Sequence, residues 1–218
     1  MAASGRKGLF VTLEGPEGAG KSTQAALLAR ALAASGYLVC PVREPGATPL
    51  GDHLRVLLLA PDAAITPRAE ALLYCAARAE LVERVIQPAL AAGAVVVADR
   101  FADSTLAYQG AGRGLPLEPL VAVVRFAAGS CWPDLTLLLD LPAAEGLARK
   151  QGAAARQASA WTRFEGETLA FHERVRAAYH QLAAAEPQRW QLLDARAPVE
   201  QLHAAIWEAV RARLPAGG

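Results

Sequence analysis

Eight consecutive residues, Gly15-Pro16-Glu17-Gly18-Ala19-Gly20-Lys21-Ser22, constrain this chain more than any other stretch. They match G-x-x-x-x-G-K-[ST], directly after an aliphatic run and directly before a helix-like pattern. Glycines let such a loop fold tightly around an anion with its N–H groups turned inward, and the helix N-terminus that follows adds a favourable dipole. The motif in this context predicts a nucleoside triphosphate site running from Gly15 to Ser22 and on to Thr23. Lys21 would reach the β and γ phosphates, and the Ser22 hydroxyl would ligate Mg²⁺.

Short aliphatic runs at 9–13, 38–42, 94–98, 135–139 and 190–193 alternate with helix-like stretches at 22–35, 67–92, 117–128, 143–150, 168–185 and 199–214. Each run lacks the polar alternation of a half-solvated strand, so all five are expected as central strands of a parallel sheet. Gly36 and Gly93 stand where helix-ending glycines would. Alternation of this kind gives an α/β fold of three layers, α/β/α, with ligands at the carboxyl edge of the strands. The expectation is a P-loop NTPase fold with a five-stranded parallel sheet, residues 1–218 forming a single domain. The stretch 151–160, rich in Ala, Gln and Ser, reads as a flexible flap inside a helical lid of about 149–167.

Composition agrees with this class and narrows the partners. Hydrophobic residues make up 53% of the chain and aromatic residues 6%, the excess being Ala, Leu and Val, as in Ala-rich helices around an aliphatic sheet. A net charge of +1 supplies no general field for nucleic acid or anionic lipid, so an anionic ligand must be held by local groups. Cys40, Cys75 and Cys131 are odd in number and far apart, which indicates neither a disulfide framework nor a zinc site. With no cleavage-like region after the first apolar run and no span-length apolar segment, the expected location is the cytoplasm. The lysines are Lys7, Lys21 and Lys150, and none lies in an N-K-x-D guanine signature, which argues against a switch GTPase.

Four blocks, in order, then resemble the bacterial thymidylate kinase family: VTLEGPEGAGKST at 11–23, REPG at 43–46, EALLYCAARAELVERVIQPAL at 70–90 and DRFADSTLAYQGAGRG at 99–114. The resemblance runs from about residue 8 to about 211 and implies phosphoryl transfer from ATP to dTMP. It gives Arg43 the acceptor phosphate, a role suited to a bidentate guanidinium. Tyr74 and Arg78, four apart on one helical face, would stack on thymine and bond a base oxygen, with Tyr where Phe is commoner. Asp99 would stand near Mg²⁺ through its water shell and Arg100 between donor and acceptor. Asp140, at the end of another aliphatic strand, is the rival carboxylate. Ser104, Thr105, Tyr108 and Gln109 would complete the acceptor pocket, Tyr108 pressing where a ribose carries its 2′-hydroxyl. Glu17 would lie near the 3′-hydroxyl and the metal.

The same resemblance places a catalytic arginine in the lid, because Gly18-Ala19 fills the place where some relatives carry it inside the P-loop. Arg149, Arg156 and Arg163 are the candidates. Arg163, in TRFEGE, best matches the family's Asp-Arg-x-Glu, although Thr162 replaces the Asp. Arg196, in the loop after the last strand, would stack on adenine. A homodimer, packed through the Ala-rich helix 67–92, is also implied.

Overall fold

The computed structural model describes residues 8–156 and 162–214, without the side chains of 154–156. Five strands, β1 (Leu9–Glu14), β2 (Val39–Arg43), β3 (Val95–Asp99), β4 (Leu135–Asp140) and β5 (Trp190–Asp194), form one parallel sheet in the order β2-β3-β1-β4-β5. Every strand ends one residue beyond its expected aliphatic run, and that residue is charged each time: Glu14, Arg43, Asp99, Asp140 and Asp194. The sheet thus has an apolar body and a charged carboxyl rim.

Only three strands are central. β1, β3 and β4 are buried along their bodies, whereas β2 and β5 form the two edges, with Cys40 half-buried and Leu192 exposed. An edge position also tolerates Pro41, which has no N–H to donate to a second neighbour. Apolar composition alone could not separate edge from centre.

Nine α-helices are described: α1 (Lys21–Ala34), α2 (Pro49–Leu59), α3 (Pro67–Leu81), α4 (Gln87–Ala91), α5 (Ala102–Thr105), α6 (Leu117–Ala128), α7 (Ala143–Arg156), α8 (Leu169–Ala185) and α9 (Val199–Arg211). A π-helical turn, Val82–Ile86, fuses α3 to α4, so the stretch expected as one helix is one rod with a widened turn. A second π-helical segment, Leu106–Gly112, continues α5. Neither α5 nor α2 was expected from the apolar pattern. α7 passes its expected end at 150 and reaches Arg156, so the first part of the stretch expected as a flap is helical; residues 157–161 lie outside the described residues.

Alternate residues of each strand face opposite layers. Leu9, Val11 and Leu13 pack with Val97 and Leu137 against Leu28 and Leu32 of α1 and Ile206 of α9. Phe10, Val96 and Ala98 face Cys75 of α3 and Val124 of α6. Each such side chain contributes about 1.5–3 kcal/mol by leaving water. Beside β4, Val175 and Tyr179 of α8 cover Leu138. No helix among the described residues is long and apolar enough to cross a membrane.

Candidate active site

The loop between β1 and α1 owes its shape to glycines. Gly15, at φ +139°, runs against β4 so closely that a Cβ would lie 2.4 Å from the Leu139 carbonyl oxygen. Gly20, in the left-handed region at φ +86°, turns the chain into α1. That 14-residue helix has no side-chain cap and no acidic residue in its first turn, so its N-terminal N–H groups are open to an anion. Lys21 is buried and its Nζ donates to the Pro16 carbonyl at 2.6 Å. Burial, followed by the nearby Arg100, draws its ammonium down to about 8.

Ser22 Oγ donates to Asp99 Oδ2 at 2.5 Å, which brings the hydroxyl of the loop and the carboxylate at the end of β3 to one point. Asp140 is committed elsewhere, to Arg176 at 2.8 Å through both oxygens and to His180 at 3.0 Å. Of the two rival carboxylates, Asp99 is the one that meets the Ser22 hydroxyl.

Arg100 occupies the left-handed region at φ +72°, unusual for a side-chain-bearing residue. Its guanidinium spans the cleft floor, donating to the Gly15 carbonyl (3.0 Å), Ser104 Oγ (3.2 Å), Tyr179 Oη (3.1 Å), Glu17 Oε1 (2.7 Å) and Tyr108 Oη (2.9 Å). It also lies 4.8 Å above the Tyr108 ring. Burial pushes the Glu17 carboxyl up, but Arg100, Lys21 and Lys150, with the Tyr108 hydroxyl, pull it further down, to about 2. Glu14, just beneath, goes the other way. Burial and then Asp103 raise it to about 7, although it accepts from the Phe101 N–H, Ser104 and Tyr179.

The far wall comes from β2, α3 and the α5 region. Arg78 is fully buried, its Nε and Nη2 clamped on the Glu44 carboxylate at 2.6–3.1 Å and Nη2 also donating to Thr105 Oγ1 at 2.9 Å. Tyr74 lies one turn away, with its phenol raised by burial and its ring 6.4 Å from that of Phe164. Gln109 donates from Nε2 to Glu70 Oε1 at 2.6 Å. Arg43 is exposed, 3.7 Å from Asp52.

Lys21, Ser22, Asp99, Glu44 and Phe164 line a single cleft of about 540 Å³. It collects every residue expected for the acceptor pocket: Glu17, Arg43, Tyr74, Arg78, Arg100, Ser104, Thr105, Tyr108 and Gln109. Seven basic and four acidic side chains line it, so a chain of net charge +1 concentrates its positive field here. Arg55 was missed in the sequence; it lines the cleft, and burial and the neighbouring Arg43 lower its pKa.

The lid arginines part company. Arg149 lines the cleft and donates to the Ala195 carbonyl at 2.8 Å, beside Lys150, which pairs with Glu165 at 3.0 Å. Arg163, the best motif match, is not brought to the cleft. It is held by the Leu58 carbonyl at 2.6 Å and by the buried Glu70, because a carboxylate without a countercharge in that interior would be costly. The side chain of Arg156 lies outside the described residues. Arg196, expected beside adenine, is exposed and paired with Asp194 at 2.9 Å, in a separate hollow shared with Asp140 and Arg176.

Comparison with known proteins agrees with this geometry. The family model described as Thymidylate kinase matches residues 13–206. The chain is 54% identical over 201 residues to a thymidylate kinase of Thermomicrobium roseum, covering 92% of this chain and 93% of that one. It is 52% identical over 207 residues to a thymidylate kinase of Deinococcus radiodurans, covering 95% and 98%. Its fold is similar to the crystal structure of thymidylate kinase from Ehrlichia chaffeensis, with TM-score 0.75, 27% identity, and coverage of 94% and 98%. A triphosphate-type loop facing a second basic wall, together with this similarity over nearly the whole chain, places the chain in the thymidylate kinase family.

Proposed function

We propose that the chain transfers the terminal phosphoryl group of ATP to dTMP, giving dTDP and ADP. The observation that carries this reading is one cleft in which Lys21 and Ser22 face Arg43, Arg78 and Arg100 from distant segments. Two polyanions repel each other, so catalysis consists largely of positioning them and neutralising the transferring group.

The second pKa of a phosphate monoester is about 6, so the attacking oxygen is ionised at neutral pH and no general base is required. Lys21 and Arg100 then flank the transferring group, with Arg149 entering from the lid side. Arg43, assisted by Arg55, holds the acceptor phosphate. Tyr74 offers its ring to the base, and Arg78, whose Nη1 meets among the described residues only the weak Cys75 Sγ partner at 3.8 Å, retains a donor for a base oxygen. Glu17, kept ionised by Arg100 and Lys21, accepts the sugar 3′-hydroxyl, while Tyr108 crowds a 2′-hydroxyl.

Mg²⁺ fits the same point. Ser22 Oγ and Asp99 supply one hydroxyl and one carboxylate, and such an ion takes its remaining ligands from phosphate and water. When bound it neutralises phosphate charge. The three cysteines are free, in keeping with a reducing cytoplasm. The exposed Val56, Leu57 and Leu72 on α2 and α3 offer an apolar face to a second copy in a homodimer.

The test is ADP release, coupled to a spectroscopic reporter, with dTMP, dUMP, dCMP, UMP and thymidine as acceptors. Release should depend on acceptor and be fastest with dTMP. Preference for thymidine, or release indifferent to acceptor, would refute the proposal.

A further inference from the structure

Gln109 lines the cleft with one end of its amide and meets Glu70 with the other. An amide is polar but nearly symmetric in shape, so its partner decides which end faces the ligand. Here that partner is a fully buried carboxylate receiving three donors: Gln109 Nε2 at 2.6 Å, Arg113 Nε at 3.3 Å and Arg163 Nη2. With both oxygens engaged by guanidinium groups, Glu70 only accepts. A flipped Gln109 would set oxygen against oxygen in a buried place, so its Oε1 is turned toward the cleft, where no donor among the described residues takes it.

We infer that Glu70, held by Arg113 and Arg163, is a positioning residue that sets the polarity with which Gln109 meets the acceptor base. The inference rests on the proposed dTMP site and deepens it. The cleft then presents an acceptor on Gln109 and a donor on Arg78. A pyrimidine with an N3–H and a 4-oxo group matches that pair. A 4-amino pyrimidine, with a bare N3 and an N4–H₂, presents the inverse and is rejected at both points, because each protein group is then left without a partner. Arg163 contributes to acceptor choice through Glu70 instead of touching the reacting phosphates.

Steady-state kinetics of wild type and Glu70→Gln with dTMP and dCMP test this. The substituted amide donates or accepts, so Gln109 turns over freely. The kcat/KM ratio of dTMP to dCMP should fall at least about tenfold, through a higher KM for dTMP, with kcat within about twofold because the phosphate end is untouched. A merely structural role would lower activity on both acceptors equally, and an unchanged ratio overturns the inference. The double variant Glu70→Gln with Gln109→Glu reverses the pair but keeps its charge: the new amide donates to the new carboxylate, which still shows the cleft an acceptor. It should restore the dTMP preference, and it carries the test if Glu70→Gln does not fold; a double variant that prefers dCMP or does not discriminate overturns the inference. Wild type without preference for dTMP over dCMP would instead refute the proposed function.

Discussion

Glu14 and Glu17 stand three residues apart where β1 enters the P-loop, Glu14 fully buried and Glu17 partly so, and are driven in opposite directions. Glu17 meets Arg100, Lys21 and Lys150 and stays ionised down to about pH 2, whereas Glu14, buried beside Asp103, holds its proton up to about pH 7. A carboxyl raised from 4.5 in the folded state stabilises the protein most below its unfolded value, and that contribution is lost as pH rises toward 7, up to about 3 kcal/mol in all. Wild-type Tm should therefore fall between pH 5 and 8, and Glu14→Gln should flatten that fall; parallel Tm profiles would contradict this. Lys21→Ala should lower kcat/KM about 10²–10³-fold, since one cation aimed at developing charge is worth that much. Tm should change little, because burial already disfavours the Lys21 ammonium. The acceptor-pocket residues carried by the four sequence blocks were readable in the sequence, and the cleft gathers them. Glu14, Glu70 and Arg55 were not readable, because the importance of the two carboxylates lies in partners 39 to 165 positions away in the chain, and that of Arg55 in a neighbouring guanidinium. Arg163 shows the converse: its motif was legible, but the carboxylate that captures it, Glu70, lies 93 positions earlier.

At the scale of elements, the P-loop and α7 touch backbone to backbone. A Cβ on Gly18 would lie 2.1 Å from the Gly146 carbonyl oxygen, and one on Gly146 would lie 2.1 Å from that of Glu17. Neither neighbour is a flexible side chain, so Gly146→Ala must move the loop or the helix that carries Arg149 and Lys150. Overpacking of this kind costs about 1–3 kcal/mol. KM for ATP should rise at least several-fold with a modest drop in Tm, measured on the same preparation; an unchanged KM would show that the loop and α7 are not coupled. Periodicity revealed the strands and long helices, but it stopped each strand at its last apolar residue and so missed the charged rim. It also passed over α2, although Thr48 accepting from the Gly51 N–H and Pro49 in the first turn form a regular helix start. The helical region 102–112 was hidden because its side chains serve the cleft as well as the core.

For the whole molecule, near-neutral overall charge and a basic cleft leave recognition to local geometry, and the exposed apolar residues of α2 and α3 form the face proposed to meet a second copy. Sedimentation should show a dimer at micromolar concentration, and Leu72→Glu should shift it toward monomer; a monomeric wild type would remove the dimer. The central claim is that one cleft holds two nucleotides end to end, with Lys21 and Arg100 between them. Its most direct test is competition by an adenosine and a thymidine joined 5′ to 5′ through five phosphates. The linked compound should compete with both ATP and dTMP and bind at least about 10²-fold more tightly than either alone. Competition with only one of them, or affinity no better than that of the single nucleotides, would contradict the account.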